Sequence, residues 1–331
     1  MQLRENVPLS DLTTFHIGGP ARYVATVTSV EELNESLDFA RDQNLPWQIL
    51  GGGSNVLVGD KGFDGLVIHL AIGGIEFDGS KVTVGAGESW DTLVAQSVEH
   101  KLWGLENLSG IPGSVGGAVV GGIGAYGASV GEHLTGVEAF NTQTRNAEKF
   151  TNAECRFGYR DSIFKHRPEL VVLCATFALS AEPAPNVSYK DLASRFADSS
   201  LDLGTIRAAV LAIREGKFPD ITREGTAGSY FKNPIVGESD ANALREKYPE
   251  LPLFAMPEVS GYKVPLAWLL DRVLGLKGAS VGGARLFERQ PLVIAASKGC
   301  SATDVHALAT MVKKECKEKL FLDIEEEVVS W

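Results

Sequence analysis

The sequence predicts an α+β protein of several lobes and not one doubly wound sheet. Two observations lead there. Strand-like and helix-like segments follow one another in mixed order, without a sustained strand–helix–strand alternation. At 331 residues the chain is long for a single core, which allows two or three lobes.

Taken in order, Ser29-Val-Glu-Glu32 reads as a capping box, with helix-period apolar residues to about Asn44. Leu45–Leu50 reads as a strand, Gly51–Asn55 as an anion-binding turn, Val56–Val58 as a second strand and Gly65–Leu70 as a third. Ile75–Phe77 and Val82–Val84 flank Asp78-Gly79, a hairpin signal. Ser89–Leu102 predicts a helix. Residues 104–131 are rich in Gly and Ala with little period of either kind, and a loop that long in a compact domain usually serves a function. Strands follow at 137–142 and 170–179, and helices at 205–217, 239–247 and 264–274. Ser301-Ala-Thr-Asp304 is a second capping box, opening a helix to about Leu320, and Phe321–Val329 reads as a β-rich tail.

Composition narrows the function. Hydrophobic residues make up 44% and charged residues 22%, the proportions of an ordinary globular chain. The net charge of −11 argues against nucleic acid or an anionic membrane as partner, though a local basic cluster can still hold an anionic substrate. Cys155, Cys174, Cys300 and Cys316 form no Cys-x-x-Cys pair, and no two His lie four apart, so no metal site is expected and the thiols read as reduced. The N-terminus lacks an apolar signal core, and no run of 18 apolar residues is present.

Several segments can carry chemistry. Closely spaced Gly51, Gly52 and Gly53 let backbone amides converge on a pyrophosphate, with Ser54 and Asn55 adding donors; a plain tight turn is the competing reading. Gly122–Gly127 matches G-x-G-x-x-G letter for letter, yet Ala128-Ser-Val-Gly131 breaks the long helix a Rossmann site needs. Arg160, in Glu154–Ser162, can clamp a carboxylate or form a surface ion pair. Arg214 and Lys217 precede the Gly-flanked Ser229 of Gly225–Pro234, and Lys217 and Lys232 suit phosphate charge. Among Glu325, Glu326 and Glu327, a buried carboxyl can hold a proton, or the run can be a solvated acidic edge.

Together these pieces resemble the UDP-N-acetylenolpyruvoylglucosamine reductases. The resemblance rests on Thr13–Ala21, Leu50–Leu57, Gly104–Leu108, Ile111–Gly117, Ile123–Gly127, Cys155–Ser162 and Gly228–Pro234, which keep the family's order from about residue 13 to 328. It implies a two-subdomain FAD-binding fold of the vanillyl-alcohol-oxidase (PCMH) type plus an α+β substrate-binding domain. The implied boundaries are 1–65 and 66–212 for the flavin subdomains, 213–320 for the substrate domain and 321–331 for a C-terminal strand carrying the catalytic Glu. It implies FAD, NADPH as reductant, a nucleotide-sugar substrate, and a cytoplasmic monomer in bacteria. By position, Ser229 matches the proton donor, Arg160 an enolate-stabilising residue, and Glu327, which directly precedes Val328, the catalytic Glu. Tyr189, Lys217, Asn233 and Gln290 match contacts to the UDP-sugar, with Arg214 as a further cation. Ser188–Leu192 looks like the tyrosine loop of the type I subclass. Gly51, Gly52, Gly53, Ser54, Asn55, Ser114, Gly116, Gly117, Ile123 and Gly124 fall on the flavin loops. Two positions depart from the pattern: Gly122 stands where Asn is frequent, and Val329 where Arg is frequent. The alternatives are a flavoprotein oxidase of the same fold acting on a carbohydrate, a flavin-free Rossmann dehydrogenase, and a non-catalytic UDP-sugar binder.

Overall fold

The computed structural model describes residues 1–196, 201–256 and 259–331. The chain divides into two compact units, Met1–Pro8 with Pro20–Ser54 and Phe63–Gly216, and Leu9–Gly19 with Asn55–Gly62 and Lys217–Trp331.

Two larger sheets lie in the first unit, beside a two-stranded hairpin at 124–129. One has four strands in the order Gln2–Pro8, Pro20–Val27, Phe63–Leu70, Trp47–Leu50. Its first pair is antiparallel and the others are parallel. The other sheet is antiparallel, in the order Asn146–Thr151, Leu134–Asn141, Leu170–Ala178, Lys81–Gly85, Ile75–Asp78. One apolar core spans both, from Val27 and Leu37 to Val84, Trp90 and Phe177. Trp90 is fully buried, and its indole N–H donates to the Leu108 carbonyl at 3.0 Å, so its single polar group is satisfied.

Local signals explain most of these elements. Ser29 caps the helix Val30–Asp42 by accepting from the Glu32 amide, but the Glu32 carboxylate reaches back to the Thr28 amide at 2.7 Å, so only half of the expected box forms. The hairpin turns at Gly79-Ser80, one residue later than expected, because Asp78 pairs with Lys81 and Gly79 takes φ +59°. The Gly-rich stretch contains a short helix, Val115–Gly121, capped by Ser114 and closed by Gly122 in the left-handed region.

Asp91, in the first turn of the helix Trp90–Glu99, ties this unit together. It accepts from Arg207 Nη1 and Nη2 at 2.7 and 2.8 Å and from the Gly110 amide at 2.6 Å. Burial raises its pKa, but the Arg207 and Gly110 bonds outweigh that, and the net effect is a lowered value. A carboxylate with a depressed folded-state pKa contributes stability above the unfolded value near ~3.9, and that contribution fades as pH falls below it. Asp91→Asn should therefore cost about 1–2 kcal/mol at neutral pH, less than a fully buried pair because the carboxylate is partly exposed. Its deficit relative to the parent should shrink below about pH 4. Thermal melts of both proteins from pH 7 to 3 check this; a deficit constant across that range would contradict it.

In the second unit, Ser280–Val281, Ala284–Phe287 and Gln290–Ala296 form a sheet that packs on the helix Ala302–Leu320. Ser301 and Asp304 make the full capping box at the start of that helix. A smaller sheet runs Ile235–Val236, Gly261–Lys263, Phe254–Met256. The predicted helix at 264–274 is short, Leu266–Trp268, and continues as a π turn through Val273. The tail is not a continuous strand. Residues 321–328 form no strand and make one bridge, Phe231 to Glu326; Phe321 takes φ +57°, and Val329–Ser330 forms a short strand parallel to Val56–Leu57. Among the described residues no helix is long and apolar enough to cross a membrane, and no cluster of metal-ligating side chains is present.

Candidate active site

Two glycine loops of the first unit meet backbone to backbone. A Cβ on Gly52 would lie 2.6 Å from the Gly113 Cα and 2.8 Å from the Ser114 amide nitrogen. One on Gly51 would lie 2.5 Å from Ser114 Oγ, and one on Gly113, at φ +115°, would lie 2.4 Å from Ser54 Oγ. Side chains then fasten the loops: the Gly52 and Gly117 amides both donate to Ser114 Oγ at 3.3 Å, and Ser54 Oγ donates to the Pro112 carbonyl at 2.9 Å. Ser114, Gly116 and Gly117 thus act within the fold, with the Gly116 amide donating to the Ala86 carbonyl at 2.8 Å. Among the described residues the amides of Gly53, which is buried at φ +63°, and Ser54 make no hydrogen bond. A buried amide without an acceptor is rare in a native fold. Successive amides beside a left-handed residue form an anion-binding concavity, and this arrangement fits the pyrophosphate of a dinucleotide.

The G-x-G-x-x-G match builds no Rossmann turn. Gly124–Ala125 and Ala128–Ser129 pair as a hairpin across Tyr126 and Gly127, both with positive φ. Ile123 packs against the core, and its carbonyl accepts from the Val130 amide. Gly122 is required by a close approach: a Cβ there would lie 2.5 Å from the Asp161 carbonyl oxygen. That contact sets the loop carrying Arg160. Arg160 has φ +57°, an uncommon state for a residue with a side chain, and its Nη1 lies 3.3 Å from where a Gly124 Cβ would stand. Gly124 therefore leaves room for the guanidinium, whose Cζ lies 5.5 Å from the Tyr159 ring centre.

A second group in this unit joins Arg214, Tyr126 and Tyr189. Arg214 Nε donates to the Gly110 carbonyl at 2.9 Å, and burial lowers its pKa while a hydrogen bond to Tyr126 opposes that. Tyr126 and Tyr189 meet edge to face at 5.4 Å, and Tyr189 is 42% exposed. Sequence reading did not single out Tyr126 or Asp91. Tyr126 sits inside the quoted hairpin motif, whereas Asp91 carries no local signal because its partner is 116 residues away.

In the second unit, Ser229 lies on an extended segment hydrogen-bonded on both sides. Ser229 bridges Val293, and the Tyr230 amide donates to the Leu292 carbonyl at 2.7 Å. On the other side the Glu327 amide donates to the Tyr230 carbonyl at 2.7 Å, and the Lys232 amide to the Glu325 carbonyl at 3.0 Å. Ser229 and Glu327 thus belong to one hydrogen-bonded platform. Gly228 has φ +78° and open space where its Cβ would be, so conformation and not crowding calls for glycine there. Asn55, expected on the flavin loop, donates Nδ2 to the Glu327 carbonyl at 3.1 Å, and its own carbonyl accepts from the Val329 amide. Val329 is thereby part of the terminal strand, its side chain 49% exposed. Asn233 Oδ1 accepts from the Leu266 amide at 3.0 Å, Gln290 opens the strand Gln290–Ala296, and Lys217 ends the helix Leu203–Lys217.

Residues 21–144 match the model of an FAD binding domain, and residues 220–331 match that of the UDP-N-acetylenolpyruvoylglucosamine reductase C-terminal domain. A UDP-N-acetylenolpyruvoylglucosamine reductase of Amoebophilus asiaticus is 38% identical, covering 99% of both chains. One from Ralstonia nicotianae is 37% identical, over 99% of this chain and 98% of its own. The chain belongs to the UDP-N-acetylenolpyruvoylglucosamine reductase family. The crystal structure of the Thermus caldophilus reductase matches over 100% of both chains at TM-score 0.73 and 29% identity. The fold is accordingly the FAD-binding type expected from the sequence with an α+β C-terminal domain, and the protein is an FAD-dependent oxidoreductase.

Proposed function

We propose that this protein reduces UDP-N-acetylglucosamine enolpyruvate to UDP-N-acetylmuramate at the expense of NADPH, a step of peptidoglycan precursor synthesis, and that it works as a cytoplasmic monomer. The observation that carries the residue assignment is the shared platform of Ser229 and Glu327 in a chain related end to end to reductases of this name. In this reading 1–65 and 66–212 serve the flavin, with Gly53 and Ser54 offering amides to the pyrophosphate. Segment 213–320 serves the nucleotide sugar, and 321–331 delivers Glu327.

Bound FAD, once reduced by NADPH, supplies the hydride. The protein's own groups manage the charge that follows. Hydride addition at the terminal carbon of the enol ether places negative charge on the α-carbon and its carboxylate. Arg160 binds that carboxylate with its planar fork, and a protonated Glu327 donates a hydrogen bond to it. Ser229 gives its proton to the α-carbon, which completes the addition of one hydride and one proton. Serine is a weak acid in water, so this role depends on a strongly basic carbanion and a fixed geometry. Lys217, Arg214, Tyr189, Asn233 and Gln290 hold the UDP-sugar, and that remote binding aligns the reacting carbon.

Anaerobic incubation with NADPH and the enolpyruvyl sugar tests the proposal. Stoichiometric NADPH consumption with a product two hydrogens heavier is expected. NADPH oxidation that ignores the sugar and requires oxygen would point to an oxidase.

A further inference from the structure

The tail presents three identical residues, Glu325, Glu326 and Glu327. A one-residue slip would place a glutamate at the same position and turn every side chain to the opposite side. The identities of these residues therefore do not define a register; their partners do. Glu325 pairs with Lys232 at 3.0 Å, but its side chain is 76% exposed, and such a surface pair contributes little. Glu327 is held through its main chain, by the Tyr230 carbonyl and Asn55 Nδ2. Glu326 is gripped at both oxygens: Lys313 Nζ lies 2.6 Å from Oε1, and the Tyr230 hydroxyl donates to Oε2 at 3.2 Å.

The Tyr230 donor is unlike a surface lysine. The residue is 1% exposed, and its ring is set edge-on against Phe231 at 5.1 Å and Phe15 at 6.5 Å. It cannot follow a tail that slides. Neighbouring residues of an extended chain point opposite ways, so fixing the Glu326 carboxylate on one side commits Glu327 to the other.

We infer that Tyr230 and Lys313 are positioning residues: by clamping Glu326 they set the register that delivers Glu327, and neither identical neighbour, to the reaction. This rests on the assignment of Glu327 above. The clamp touches neither flavin nor substrate in that assignment and acts only through the tail.

The test separates the two half-reactions of the flavin-loaded enzyme by anaerobic stopped-flow. Tyr230→Phe keeps the buried ring and Lys313→Met keeps the aliphatic stem, so the double variant removes the grip with little loss of packing. Flavin uptake and reduction by NADPH should be unchanged, while re-oxidation by the enolpyruvyl sugar falls tenfold or more. Lys313→Arg with Tyr230 intact should stay close to the parent. Glu326→Gln, which loses the ion pair at constant volume, should show the same asymmetry and covers the case in which the double variant does not fold. Re-oxidation within twofold of the parent, or an equal loss in both half-reactions with lowered Tm, overturns the clamp. Glu327→Gln measured in parallel tells the failures apart. Parent-like re-oxidation in Glu327→Gln removes the assignment itself; slow re-oxidation there with a parent-like clamp variant removes the clamp alone.

Discussion

Ser229→Ala should leave flavin reduction by NADPH intact and slow flavin re-oxidation by the enolpyruvyl sugar by about 10²–10⁴-fold, the usual contribution of a positioned general acid. The substitution deletes one oxygen from a half-buried side chain. The backbone bonds to Leu292, Glu325 and Glu327 come from the neighbouring residues Tyr230 and Lys232, so the platform stays in place. Gly228 keeps its φ of +78°. What disappears is the proton for the α-carbon, which is needed only after hydride has moved. Anaerobic stopped-flow at the flavin absorbance reads both phases in one experiment. Re-oxidation at the parent rate would remove Ser229 from the proton-donor role.

Gly52→Val should give a folded protein that loses its flavin. Even a Cβ at position 52 would lie 2.6–2.8 Å from backbone atoms of Gly113 and Ser114. No side-chain rotation relieves that overlap, so the two loops must part. Overpacking of this kind costs about 1–3 kcal/mol. Spent in the cradle, that is about 5–150-fold in flavin affinity. Gly216→Ala is the control, because a Cβ there meets nothing within 4 Å. Replacing that glycine in the helix Leu203–Lys217 should leave flavin in place and stabilise slightly. The ratio of flavin to protein absorbance after gel filtration checks both variants. Full flavin retention by Gly52→Val would mean that the cradle is not where the cofactor binds.

Local chemistry made much of this fold legible. Ser301 and Asp304 announced a helix because a capping box is self-contained within four residues. The short apolar run 65–70 reads as a strand, as does 170–179, and each forms a strand most of whose residues are buried, Phe63–Leu70 and Leu170–Ala178. The reading failed where partners are distant. Leu322 and Ile324 alternate like a strand and are buried, yet the tail pairs with 230–232 at a single bridge, Phe231 to Glu326. Asn55 reads as a flavin-loop donor; that its side chain also donates to the Glu327 carbonyl, 272 residues away, has no local signal. Leu9–Gly19 and Asn55–Gly62 cross into the second unit with no compositional mark. Val115–Gly121 was invisible to periodicity because its glycines weaken the helical signal, and its helix is held by the Ser114 cap and by burial of Val115 and Val119. The run Gly51–Gly53 and the Gly228-Ser229 pair stand out because each is local in the sequence, whereas the approach of Gly52 to Gly113 and Ser114 appears only in the fold. The clamp on Glu326 is not local either, because Tyr230, Lys313 and Glu326 meet only in the fold.

The proposed reaction requires this chain to hold a flavin that passes hydride from NADPH to an enolpyruvyl nucleotide sugar. An anaerobic absorbance spectrum of the purified protein tests it most directly. The protein should be yellow, bleach with NADPH and regain its full oxidised spectrum on addition of UDP-N-acetylglucosamine enolpyruvate. A protein that takes up no flavin, or one whose bleached flavin stays reduced when the sugar is added, would contradict it.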